Sequence, residues 1–123
     1  MEARALYHTP AASGPRNLVR PIAQWLRELG FTALEAEHST MATLEAHWDS
    51  PEGHRFYFYY EWSAMKALVS LTLTYPGEWQ PLDLIKGQHV GRLREARRLL
   101  YNDARFRAVQ QTAKGQSLPI ATS

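Results

Sequence analysis

The chain has 123 residues, 45% of them hydrophobic and 21% charged, the balance of a folded chain with one modest core and not of a disordered one. It contains no cysteine, which excludes disulfides, thiolate metal sites and a cysteine nucleophile. The formal net charge of +2 conceals a segregation: residues 1–27 carry four arginines against Glu2, residues 28–83 carry nine acids against Arg55 and Lys66, and residues 84–123 carry eight bases against Glu95 and Asp103. A basic–acidic–basic chain is informative about partners and silent about fold. The opening MEARALYHTP has no apolar core of signal-peptide length, and no run approaches the ~18 apolar residues of a membrane span, so a cytoplasmic protein without membrane contact is expected. A single domain over 1–123 is expected, with 1–16 and 115–123 as loose termini.

In GPRNLVRPIAQWLRELGF, Leu18, Ile22, Trp25, Leu26 and Leu29 recur at helical spacing, predicting a helix over roughly 18–29. Asn17 suits its start, Pro21 its first turn and Gly30 its left-handed end. The next stretch, ALEAEHSTMATLEAHWD, fits two strands better than a helix. Over 42–49, Ala42, Leu44, Ala46 and Trp48 alternate with Thr43, Glu45, His47 and Asp49. Over 31–38, Leu34 and Ala36 alternate with Glu35 and Glu37.

The sequence SPEGH then offers Pro51, Glu52 and Gly53 as a three-residue turn. That turn pairs positions whose numbers sum to 104: Trp48 on Phe56, Ala46 on Phe58, Leu44 on Tyr60 and Ala42 on Trp62 inside, Asp49 on Arg55, His47 on Tyr57 and Glu45 on Tyr59 outside. Keeping faces matched in the first hairpin requires an odd loop, Ser39–Met41, and sets Glu35 opposite Glu45, a like-charge pair that needs relief. KALVSLTLTY reads as a fourth strand with Val69, Leu71, Leu73 and Tyr75 on one face, ended by Pro76 and Gly77. A short helical turn at 81–86 and a long helix over 90–112 follow, with Leu93, Ala96, Leu100, Ala104 and Ala108 as its core stripe. The expected class is α+β: an N-terminal helix, a four-stranded antiparallel meander, and a long C-terminal helix, with the helices on one face of the sheet. The order is loosely similar to that of double-stranded RNA-binding domains, with an extra strand and no matching motif, and topology alone carries no function.

Three constellations can carry function. On a continuous helix at 100° per residue, Arg94, Arg98 and Arg105 fall within about 40° of one another, with Arg97 and Tyr101 beside them, an arrangement suited to phosphate contact and base stacking. Arg16, Arg20 and Arg27 are possible auxiliaries. The outer sheet face, with Glu35, Glu37, Glu45, His47, Tyr57 and Tyr59, suits a protein partner, such as the target of an inhibitor or an assembly subunit. Glu45, His47 and Asp49 alternate on one strand in a pattern that can ligate a cation, yet their spacing matches no nuclease or zincin signature. G-x-S-x-G, P-loop and dinucleotide patterns are absent. The expectation is therefore a non-enzymatic binding protein without cofactor or resident metal. It contacts nucleic acid through the arginine helix or, alternatively, a protein through the acidic tyrosine-bearing sheet. Self-association of the two poles, head to face, is a further possibility.

Overall fold

The computed structural model describes residues 14–117, with side chains through residue 112. Helix α1 (Val19–Glu28) is followed by strands β1 (Thr32–Glu37), β2 (Met41–Asp49), β3 (Arg55–Ser63), β4 (Lys66–Thr74) and β5 (Leu82–His89). Helices α2 (Leu93–Asn102) and α3 (Ala104–Ser117) close the order. The strands form one antiparallel sheet in the order β1-β2-β3-β4-β5. The protein is thus α+β with a five-stranded sheet and three helices, where four strands and two longer helices were expected.

The capping residues act where the sequence places them. The Asn17 side chain accepts the Val19 amide (3.0 Å) at the start of α1. At its end Gly30, with φ of 101°, gives the paired bonds of a Schellman motif, its own amide to Arg27 O and the Phe31 amide to Leu26 O. The Trp48 indole lies 3.4 Å from where a Cβ on Gly30 would sit, so both the backbone and the packing call for glycine there. The second hairpin has the expected register throughout, from Asp49 opposite Arg55 to Met41 opposite Ser63. Its turn is closed by the Gly53 amide on Ser50 O and by the buried Ser50 hydroxyl, which accepts the His54 amide.

The first hairpin differs. Its loop is even: the His38 amide donates to Met41 O (2.7 Å) across a Ser39–Thr40 turn. Glu35 consequently lies opposite Leu44 and Leu34 opposite Glu45. A one-residue slip moves every side chain of a strand to the other face, so Glu35 and Glu37 share the side of the sheet that the helices cover, and Leu34 and Ala36 look outward. The like-charge pair of the odd register never forms. Instead Arg27 reaches Glu35 (2.9 Å) and Arg20 reaches Glu37 (3.2 Å).

Two further expectations are corrected. Residues 82–89 are not helical but form β5, pairing with β4 through two irregularities around Leu71. Only Ile85 of this strand is buried, so no alternation betrays it, and pairing along β4 creates it. Tyr75 lies beyond β4, exposed and edge-on to His54. The long C-terminal helix is broken at Asp103, whose backbone is extended (φ −81°, ψ 118°) and whose carboxylate accepts the Phe106 amide (3.0 Å) as an N-cap to α3. The break re-phases the helix. Phe106 is fully buried, and Ala104 and Ala108 of the expected stripe are exposed.

One core joins Val19, Ile22, Leu26, Ala96, Leu100 and Phe106 to the inner residues Leu44, Phe56, Phe58, Tyr60, Val69 and Leu71. All three helices therefore lie on one side of the sheet, and no described element covers the other. Of the segments expected to be loose, 1–13 and 118–123 lie outside the described residues. Pro15 O accepts the Trp62 indole N–H (2.7 Å), Arg16 O accepts the Tyr60 hydroxyl (3.4 Å), and α3 runs through Ser117. Among the described residues no helix is long and apolar enough to cross a membrane.

Candidate binding surfaces

The fold brings the two basic chain segments together. α2 packs against α1, and a groove between them is lined by Pro21, Gln24, Trp25, Glu28, Leu93 and Arg97, with a volume of about 270 Å³. Past Pro21 and Leu93 it opens into a hollow of about 760 Å³ whose lining includes Arg16, Asn17 and Arg92. The N-termini of α1 and α2 both border this hollow, adding their positive dipole ends to the guanidinium groups.

Arg94, Arg97 and Arg98 are exposed on α2, and Arg105 and Arg107 on α3. Among the described residues none of them, nor Arg16 or Arg92, forms an ion pair. The nearest acid in sequence, Glu95, is engaged locally. Its carboxylate accepts the Gly91 amide (2.6 Å), which holds its pKa below the usual range with help from the Arg92 amide and the Arg92 and Arg98 charges.

The structure changes the expected arginine site in three respects. The break at Asp103 puts Arg105 on a different helix from Arg94 and Arg98, so their alignment on a continuous helix does not hold. Tyr101 is half-exposed, with its ring edge-on to Trp25 at 6.0 Å and close to Phe106, so it is partly committed to packing. Arg20 and Arg27 are engaged with Glu37 and Glu35, which leaves Arg16 as the member of the N-terminal trio without an ion pair among the described residues. The sharing of one hollow by Arg16 and Arg92, next to the groove of Arg97, has no signal in the sequence beyond the charge segregation itself.

The outer sheet face is less acidic than expected. Glu35 and Glu37 are on the other side. Asp49 is held by Arg55 in a two-pronged bond (2.6 and 2.9 Å), which keeps its carboxyl below the usual range against a smaller opposing effect of burial. Glu61 pairs with Lys66 (3.0 Å) and Asp83 with Lys86 (3.6 Å). Among the described residues Glu45 is the acid of these strands without a cationic partner. Burial and the neighbouring Glu45 carboxylate push the Tyr57 hydroxyl up to about 12; Tyr59 is also raised, by burial and then by Glu61 and Glu45. Beside Tyr57, the residues Thr32, Leu34, Glu45 and His47 line a mostly apolar notch of about 340 Å³. Leu34 is 69% exposed, a feature that follows from the register and that the sequence pattern read the other way.

As a metal site, the Glu45–His47–Asp49 row loses Asp49 to Arg55. Among the described residues no three His, Asp or Glu side chains converge as a cation would require. Compared with models of known protein families, with curated proteins and with solved structures, the chain has no match.

Proposed function

We propose that this is a non-enzymatic binding protein that contacts nucleic acid, or another polyanion, through the arginine layer formed by α2, α3 and the segment leading into α1. The observation that carries this reading is that Arg16 and Arg92 line one hollow, which adjoins at Pro21 and Leu93 the groove lined by Arg97, with exposed Arg94, Arg98, Arg105 and Arg107 on the same helical layer and none of these ion-paired among the described residues. Guanidinium groups without internal carboxylate partners are free to displace the counterions of a phosphate backbone, and the resulting affinity is steeply salt-dependent. A groove whose lining mixes arginine with Pro21, Trp25 and Leu93 suits a backbone lying along it, with contacts that position the polymer without reading its sequence.

The test is fluorescence anisotropy of labelled single- and double-stranded DNA and RNA over a salt series. Binding is expected to weaken linearly in log affinity against log salt. Replacing Arg94, Arg97 and Arg98 by alanine should lower the slope by roughly 0.7–0.9 for each phosphate contact removed. A double Arg16→Ala, Arg92→Ala variant should weaken binding further if the groove is part of the path. Unchanged affinity in both variants, or no binding at low salt, overturns the proposal.

A further inference from the structure

We infer that the uncovered face of the sheet is the contact surface for a second copy of this chain, with the two five-stranded sheets packed face to face and the helical layers outward.

The edges of the sheet are guarded, which disfavours growth by strand addition. Because the His38 amide donates to Met41 O, the alternation along the pair puts the backbone groups of Ala33, Glu35 and Glu37 on the open side of β1. Arg27 caps that side by donating to Ala33 O (2.9 Å) while pairing with Glu35. β5 is interrupted by its two register shifts, and Gly87, in left-handed backbone (φ 52°), gives its amide to the Ser70 hydroxyl (3.0 Å). What remains open is the face.

That face has the composition of an interface. Leu34, Met41, Tyr57, Tyr59 and Leu68 alternate outward from β1 to β4, and three of them (Leu34, Met41 and Tyr57) are more than a third exposed. Its ion pairs close within the copy, which leaves Glu45, beside His47 on the same strand, as the carboxylate each face brings unpaired to the seam among the described residues. Strands of six to nine residues, spaced about 4.8 Å apart with about 3.3 Å per residue, present roughly 600 Å². Two copies bury roughly 1,200 Å², the lower end of the range for a specific interface.

The charge distribution selects the occupant and the orientation. The helical layer is strongly basic, so copies repel one another helix to helix. Head-to-face pairing of arginines onto the sheet lacks its acidic counterpart now that Glu35 and Glu37 lie on the helix side. Face-to-face packing separates the basic layers by more than the ~10 Å between packed sheets, beyond the ~8 Å screening length at physiological salt. The arrangement is a closed twofold, in which every contact occurs twice.

Sedimentation equilibrium of the full chain, without nucleic acid, from micromolar to near-millimolar concentration and at low and high salt, tests this. The expected result is a monomer–dimer equilibrium that stops at two and persists in high salt, because apolar burial carries it and salt screens the residual repulsion. Leu34→Lys and Tyr59→Lys, each checked for native circular dichroism, should weaken the dimer about tenfold or more, and Arg98→Glu on the helical side should leave it intact. A monomer at every concentration, assembly beyond two, association lost at high salt, or a dimer indifferent to both lysine variants overturns the inference. The outcome is independent of polyanion binding, which anisotropy reads separately.

Discussion

The two hairpins that share β2 are held in register by different forces. Between β2 and β3 the turn and both faces agree: Gly53 at φ 99° closes the loop, the inner side pairs alanines and a leucine with large aromatics, and the outer side pairs Asp49 with Arg55. Between β1 and β2 the two-residue Ser39–Thr40 turn sets the register with little help from the faces. β1 is short and at the edge, its inner positions are Ala33, Glu35 and Glu37, and the two glutamates are met there by arginines on α1. A strand with an apolar face carries its own register, whereas a short edge strand with charges on its covered side takes it from its turn and from what packs beside it.

The largest test of this contrast is in the core. Phe56 is fully buried, stacked on Trp48 at 6.0 Å and met edge-on by Phe106 at 5.1 Å. Phe56→Ala should cost about 3–5 kcal/mol in denaturant unfolding. Leu34→Ala in the first hairpin should stay within about 0.5 kcal/mol. Similar losses in the two variants would erase the distinction. Next in size, Gly53→Ala forces a side chain into left-handed backbone and should cost about 1–2 kcal/mol, read by the same unfolding curves.

For the first hairpin, a double-mutant cycle of Arg27→Ala and Glu35→Ala should give a coupling below about 1 kcal/mol, as befits an ion pair open to solvent. Hydrogen exchange checks the register directly. Leu34 and Ala36 amides should be protected, and those of Glu35 and Glu37 should exchange as open-edge groups; the reverse pattern would restore the odd loop.

The smallest effects are protonic. Asp49 has a folded pKa below its unfolded value of 3.8, so its contribution is fully present above that value and is lost as pH falls through the folded one. With both partners about half exposed, the loss is a few tenths of a kcal/mol, and Asp49→Asn should remove that part of the acid-limb slope. Tyr57 is shifted the other way, from 10.0 to about 12. Its neutral form is favoured in the fold, and the associated stability is retained below pH 10 and lost toward pH 12. Ultraviolet titration should show a late-ionising tyrosine that disappears in Tyr57→Phe.

Much of the architecture was legible where local chemistry and pattern coincide. The α1 stripe ended by Gly30, the Pro51–Glu52–Gly53 turn, the period-2 alternation of β2, β3 and β4, and the segregation of charge were all present in the linear chain, because each depends on residues a few positions apart. Other features depended on partners distant in sequence. β5 exists because β4 offers it a ladder, although its own residues show no alternation. The C-terminal helix breaks because Asp103 can cap a new helix and because Phe106 then reaches Phe56 and Phe31, an aromatic burial that outweighs one continuous helical turn. The faces of Glu35 and Glu37 follow from the even loop, which leaves them to Arg27 and Arg20, and the meeting of Arg16 with Arg92 follows from the packing of α1 on α2. Sequence by itself determined which segments are strands or helices when their own side chains supply the amphipathic face; tertiary structure decided register, kink and charge juxtaposition, because those are set by contacts whose free energy belongs to two segments at once.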